Sequence, residues 1–429
     1  MKQLNLLTTL AVAMAMLASC GNEPTMELRD DGSSGKTALP QLKDQALVAK
    51  AVKARDFFYS KGSRASASGA IVGHYVTNSS RSATDTVLSV VNFADGQGFV
   101  ILTDKADSPE ILAVTDEGTL NLENIDNPSL KLFVDNAVEN LQGRSVEIIE
   151  RPQKPLMYIM ENTYDTIFNI EPMIKVRWGQ GSPYNRYCPV INGKKTPTGC
   201  GPIAVAQVMS YYQRPQSFYF SEVGGDELIY LNWSKINKHI SSGVGVYPAV
   251  CGDNEYCHDA LAGLVRQLGL IMNANYRVDG TGVFMTDIQR ALSVYGYTTN
   301  YVNTGGDTEK VSFDGTSIWI LGAATETGEG RDGGGHAFIV DGRMYIKHHS
   351  LGYIVDPNVI PPVIKEIVQD NTYYYDYVHI NWGWDGTSNG YYFNGVYNSN
   401  SPKNLDVPEY GYGGYNFTKR FRYITASFN

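Results

Sequence analysis

Between Thr198 and Pro202 two glycines flank a cysteine, and Ile203, Ala204, Val205, Ala206, Val208 and Met209 follow as a helical run. A stretch of this kind has few ways to fold. Pro202 suits the first turn of a helix, where its missing N–H costs nothing. Cys200 is therefore placed at a helix N-terminus, with Gly199 and Gly201 leaving room for another backbone to approach. The partial positive charge at that end favours a thiolate over a thiol. A cysteine nucleophile needs this setting, although the same residues also suit a small buried hydrophobe capping a core helix.

The chain has the means to bury such a helix. Of its 429 residues 43% are hydrophobic and 18% charged, which supplies a large core and excludes wholesale disorder. The 43 Gly and 29 Tyr point to strands and loops and away from a coiled coil. Length alone suggests two or three domains. With 35 Lys and Arg against 44 Asp and Glu, the net charge is -9, so no basic surface draws in nucleic acid.

At the N-terminus Met1-Lys2 supplies positive charge, and Leu4 to Leu17 runs uncharged and mostly apolar into Leu17-Ala18-Ser19-Cys20. That pattern is a secretion signal, residues 1–20. It is shorter than the roughly 20 apolar residues a spanning helix needs, and no later segment approaches that length. The Leu-Ala-Ser-Cys ending resembles the lipobox of bacterial lipoproteins, which makes Cys20 the expected lipid anchor. A cut elsewhere that discards Cys20 is the alternative. Residues 21–44 are polar and bear Gly, Ser and Asp, as a flexible tether does. The expected address is the bacterial cell envelope, or the exterior after processing.

Residues 45–150 have the pattern of a small α+β domain. Ala46 to Phe58 and Pro128 to Leu141 are predicted helices, and Leu88 to Phe93 and Gly98 to Leu102 pair as a hairpin through Ala94-Asp95-Gly96-Gln97. Gly143-Arg144-Ser145 then leads past Pro152 and Pro155, and by Glu171-Pro172 the composition has shifted toward Gly and Tyr. A boundary falls between 145 and 171, and 171–429 is the second domain.

A thiolate needs a proton partner. Gly333-Gly334-Gly335-His336, followed by Ala337-Phe338-Ile339-Val340, puts one histidine at the mouth of an apolar strand with open approach beside it. His348 and His349 are adjacent and so face opposite ways on a strand. His74 lies in the first domain, and His239, His258 and His379 have no comparable setting. No His/Cys/Asp cluster has zinc spacing, so neither metal nor cofactor is expected. In His379-Ile380-Asn381-Trp382-Gly383-Trp384-Asp385-Gly386 an amide stands beside two indoles at a strand end. Asn381 can accept an imidazole N–H there, shielded by an indole, or the same residues can simply pack a core. Upstream, Gln180 in Trp178-Gly179-Gln180-Gly181-Ser182-Pro183-Tyr184-Asn185 offers a donor that joins the Cys200 backbone N–H at an oxyanion.

Together these segments resemble the streptopain family of secreted bacterial cysteine peptidases. The resemblance rests on Gln180 in Trp-x-Gln-x-x-Pro-Tyr-Asn, Gly199-Cys200 opening a helix with Ala206-Gln207-Val208-Met209, Gly335-His336-Ala337-Phe338, and Asn381-Trp382-Gly383-Trp384. The order Gln, Cys, His, Asn is also that of papain-like enzymes. Residues 45 to 142 share in it: Gly98 to Leu102, Ser108-Pro109-Glu110-Ile111-Leu112 and Asn127-Pro128 look like the family's inhibitory prodomain. The resemblance implies an α+β fold, a papain-like peptidase domain preceded by a small prodomain. It implies a zymogen in which Cys200 is nucleophile, His336 general base and acid, Gln180 part of the oxyanion hole, and Asn381 with Trp382 supports for the histidine. Its partners would be protein or peptide substrates, its own prodomain as inhibitor, and a membrane through the lipid anchor.

Two features depart from the simplest family pattern. The lipobox implies a tethered precursor, and Cys188, Cys251 and Cys257 are thiols beyond the nucleophile. Cys251 and Cys257 could close a short disulfide loop, leaving Cys188 odd. Two other readings stay open on sequence grounds: a Cys-His cell-wall amidase or transglutaminase, and a non-catalytic surface binding protein. The Gln180 setting and the prodomain speak against the first, and an activated Cys200 would speak against the second.

Overall fold

A computed structural model describes residues 38–59, 68–78, 84–105, 108–142, 157–221, 227–239, 254–303, 313–324, 335–356, 363–394 and 422–428. The leader with Cys20, the tether as far as residue 37, Cys251 and Gly333-Gly334 lie outside the described residues.

Helix α1 (Ala38–Phe58) is followed by strands β1 (Ile71–Asn78), β2 (Thr84–Asn92), β3 (Phe99–Leu102) and β4 (Ile111–Thr115), and by helix α2 (Pro128–Leu141). Strand β5 (Met157–Ile170) leads to the short hairpin β6 (Val190–Ile191) and β7 (Lys194–Lys195), and then to α3 (Cys200–Tyr212). Hairpin β8 (Ser217–Phe220) and β9 (Glu227–Tyr230), helices α4 (Trp233–His239) and α5 (Asn254–Ile271), hairpin β10 (Asn275–Arg277) and β11 (Gly280–Gly282), and helix α6 (Met285–Val294) come next. The chain closes with β12 (Thr298–Asn303), β13 (Ile318–Ala324), β14 (Gly335–Asp356), β15 (Val363–Asn381), β16 (Gly390–Phe393) and β17 (Arg422–Ser427).

One large sheet runs β1-β2-β3-β4-β16-β15-β14-β13-β17-β12, with β5 paired to β14 off that path. Helices and a mostly antiparallel sheet make the fold α+β, the class the sequence leads one to expect. The hairpin expected near residue 95 is present, with Asn92 opposite Phe99 and Ser89 opposite Leu102. The helix expected over Pro128 to Leu141 also forms, because Leu130, Phe133, Val134, Ala137, Val138 and Leu141 recur at helical spacing and bury one face.

Period-two alternation on the strands splits the core in two. Ala337 and Ile339 face a cluster built with α3, α5 and α6, while Phe338 and Val340 face the opposite side, against α2. The same alternation in β3 sends Phe99 and Ile101 toward α2, and Val100 and Leu102 toward Ala51, Ala54 and Phe58 of α1. Strand β4 pairs with β16, placing Ala113 opposite Tyr392 and Thr115 opposite Gly390. Phe133 of α2 meets the Tyr392 ring edge-on at 4.9 Å, a contact worth about 0.5–1.5 kcal/mol beyond area burial.

The chain divides into two compact units. The larger holds residues 47–148, 164–347 and 374–429, so residues on both sides of the boundary expected between 145 and 171 contribute to it. The smaller includes 149–163 and 348–373 together with the N-terminal residues through 46. Its described strand segments enclose Tyr353 and Val355, with Ile159, Leu351 and Ile364 packed on them. The adjacent histidines there part as expected: His348 Nε2 pairs with Asn162 Oδ1 at 3.0 Å and His349 Nε2 with Asp370 Oδ1 at 2.7 Å.

Two expectations are corrected. The tether does not extend to residue 44, since α1 begins at Ala38; Pro40 lies in the first turn, where helices tolerate proline. The stretch before Glu171, where the domain boundary is expected, is in its second half the paired strand β5, whose Ile159, Tyr164, Ile167 and Phe168 favour a sheet. Cys188 and Cys257 are both buried. Among the described residues no helix is long and apolar enough to cross a membrane, and no three His, Cys, Asp or Glu side chains gather to hold a metal ion.

Candidate active site

Cys200 is the first residue of α3. Gly199 before it has φ 90° and ψ 151°, and a Cβ there would come within 2.8 Å of the Thr281 carbonyl oxygen. Only glycine combines that dihedral with that approach. Ala204 to Met209 are buried on every side of the helix, which fixes the sulfur's position rigidly from behind. Thr198 donates its N–H to the Gln180 carbonyl at 3.0 Å, which sets Gln180 alongside the segment leading into Cys200. The half-buried Gln180 side-chain amide makes no hydrogen bond to the described residues.

His336 sits at the start of β14, opposite Ala323 of β13, and is 8% exposed. Its Nε2 donates to the Trp382 carbonyl at 3.0 Å. With Nε2 engaged, Nδ1 is left for the Cys200 sulfur, to which the imidazole also hydrogen-bonds. The Ala337 N–H donates to the same sulfur at 3.3 Å. Burial pushes the Cys200 thiol up, but the His336 charge, its hydrogen bond and the Ala337 and Gly201 N–H groups outweigh it, and the thiol lies below its ordinary range. Burial likewise drives His336 down, and the Cys200 charge, their hydrogen bond and the Trp382 carbonyl bring it above the usual imidazole value. Opposed shifts of this sign are those a thiolate–imidazolium pair would have.

Asn381 is not the partner of the imidazole. Its Oδ1 receives the Gly383 N–H at 3.0 Å, and its Nδ2 donates to Gln207 Oε1 at 3.0 Å and to the Val176 carbonyl at 3.3 Å. As the last residue of β15, Asn381 turns toward α3, where its Oδ1 also accepts the Nε2 N–H of the wholly buried Gln207 at 3.4 Å, a donor that would otherwise lack an acceptor. Gln207 Oε1 also accepts the Trp178 N–H at 3.2 Å. The amide pair thus joins the cysteine helix, the segment entering Gln180 and the turn whose carbonyl holds His336. Sequence reasoning gave Gln207 no role, although a lone amide within the apolar run 203–209 was a signal.

The two indoles divide the task expected of Trp382. Trp382 supplies the backbone carbonyl, and its fully buried ring packs on Phe338 at 4.9 Å while Nε1 donates to the Ser388 carbonyl at 3.0 Å. Trp384 lies beside the imidazole, ring centroids 6.4 Å apart. Asn389 Oδ1 accepts the Trp382 N–H at 3.0 Å and so braces the turn.

A sequence profile of the peptidase C10 family matches residues 178–392, half of the chain. The chain belongs to the peptidase C10 family. Gln180, Cys200, His336, Asn381 and Trp382 all fall within the matched span. Among relatives of this C10 chain, the thiol protease/hemagglutinin PrtT of Porphyromonas gingivalis is 24% identical over 347 residues, covering 74% of this chain and 35% of PrtT. Streptopain of Streptococcus pyogenes serotype M1 is 24% identical over 335 residues, covering 71% of this chain and 72% of streptopain. The chain thus spans about a third of the length of PrtT. A solved fragment of prointerpain A from Prevotella intermedia, carrying a cysteine-to-alanine substitution, aligns over 82% of this chain and 98% of its own at 20% identity, with a TM-score of 0.48.

Proposed function

We propose that this C10 chain is a cysteine endopeptidase made as a zymogen and delivered to the bacterial cell envelope, with Cys20 as its lipid anchor. The observation that carries the reading is the Cys200–His336 pair, with the thiol lowered, the imidazole raised and the Ala337 N–H on the sulfur. The Cys200 thiolate attacks a peptide carbonyl, and the Cys200 N–H and the Gln180 amide take the developing oxyanion. His336 then protonates the leaving amine, and afterwards draws a proton from the water that releases the acyl group. The Trp382 carbonyl orients the imidazole and supports its charged form.

Residues 45–150 act in this reading as the inhibitory prodomain of the peptidase domain, 171–429. Support comes from the β4–β16 pairing, one residue beyond the Trp382 turn's Asn389, and from Arg177, three residues before Gln180, which pairs with Asp116 and Glu117. Labelling by an epoxide inhibitor of cysteine peptidases, alongside casein hydrolysis, tests the reading. Label on Cys200 and hydrolysis only after a loss of mass are expected. Hydrolysis at the full rate by the uncut chain would remove the zymogen, and an unlabelled Cys200 in the cut chain would remove the peptidase.

A further inference from the structure

The catalytic turn continues past Trp384 into Asp385, an acidic residue that the reaction above does not use. Its backbone has φ 53°, a conformation that Asn or Gly adopts as readily as Asp, so the turn does not require a charge. Its N–H reaches the Trp178 carbonyl at 3.4 Å. The carboxyl lies directly on Gly179, where any Cβ would collide with it, and Gly179 adjoins Gln180. The carboxylate is half-buried and receives no hydrogen bond or ion pair from the described residues. Arg177, whose side-chain stem lies on the neighbouring Gly386, has its guanidinium committed to Asp116 and Glu117. Tyr184 is the other titratable group that faces it, and the Asp385 charge helps hold that phenol protonated. A desolvated carboxylate without a cation is costly to keep unless something supplies one.

The position says what that is. His336 must pass its proton to the leaving amine, so the departing part of the substrate passes by the imidazole, and Trp384 stands beside that ring. Asp385 follows Trp384 in the chain, and its carboxyl lies against Gly179, next to Gln180. We propose that Asp385 is a specificity residue for the leaving side of the substrate, where its carboxylate receives the cationic side chain of a lysine or arginine just after the scissile bond. The inference rests on the peptidase reading and adds a substrate preference to it.

The test compares kcat/KM of the processed chain on quenched fluorescent peptides that differ only in carrying Lys, Ala or Glu after the cut bond. Lys should be preferred over Ala by about five- to tenfold at neutral pH, with Glu the poorest, as expected of one partly desolvated ion pair. Burial pushes the Asp385 carboxyl up to about 6. The preference should therefore fade as pH drops below 6 and the carboxyl protonates, while titration of Cys200 and His336 cancels in the ratio. In Asp385→Asn and Asp385→Gly the Lys-to-Ala ratio should fall to within twofold of one, a readout that a general loss of activity does not move. Cleavage of the Ala peptide with no Lys preference, or a preference kept by both variants, would overturn this inference alone. No cleavage of any of the three peptides would overturn the peptidase reading with it.

Discussion

The two sides of the candidate active site are built differently. On the cysteine side, position is set by local backbone: Gly199 takes a dihedral and an approach that only glycine allows, Pro202 starts the helix, and an apolar run buries it. On the histidine side, position is set by long-range side-chain pairing. Asn381 reaches Gln207 across 174 residues, and the imidazole is held by a backbone carbonyl 46 residues away. Local rules can be read along a sequence, whereas the choice among polar partners in three dimensions cannot. Asn381 was expected on the imidazole because an amide beside an indole can serve there, but the buried Gln207 competes for the same amide, and an unpaired buried amide costs about 1–3 kcal/mol.

Variants of the reacting pair set the upper bound for any comparison of the two sides. Cys200→Ala and His336→Ala should each lower peptide hydrolysis by several orders of magnitude, and the double variant should be little worse than either, since residues acting as a unit are not additive. Independent, multiplying losses in steady-state kcat/KM would show that the two do not act together. Next in size, Gln180→Ala should lower kcat by about 10² to 10³ with a smaller change in KM, because its amide is free of hydrogen bonds to the described residues and so available to the oxyanion. An unchanged kcat would move that role elsewhere.

The smallest effects separate holding from catalysis. Asn381→Ala leaves the buried Gln207 Nε2 without its acceptor and should cost about 1–3 kcal/mol of stability in denaturant titration. Activity should fall less than in His336→Ala, and the pH profile should keep both limbs. Replacing Gln207 and Asn381 together with apolar residues of similar size should cost less than the sum of the two single changes. Additive losses, or an Asn381 variant missing one limb of its pH profile, would restore Asn381 to the imidazole.

The fold was legible where periodicity is strong. Pro128 to Leu141 and the hairpin of Leu88 to Leu102 follow from helical spacing and alternation. Strand β5 was not legible, because Pro152 and Pro155 before it suggest a linker and its partner β14 lies about 180 residues on. Nor does any local signal show β4 joining β16, a pairing between segments separated by almost 280 residues. In the site, glycines marked Cys200 and His336, but the division of labour between Trp382 and Trp384 depends on which indole turns into the core, and that is decided by Phe338 and Tyr392.

In the proposed mechanism Cys200 and His336 stand as a thiolate–imidazolium pair. That pairing is tested most directly by the pH dependence of thiolate absorbance near 240 nm, taken as the difference between the chain and Cys200→Ala. The lowered thiol and raised imidazole mean that the pair forms as pH rises through the Cys200 value and is lost as pH rises further through the His336 value. Thiolate is expected below the ordinary thiol range, with a shift of that titration upward in His336→Ala, where the attraction is gone and burial remains. A Cys200 that ionises in the ordinary thiol range, with or without His336, would contradict it.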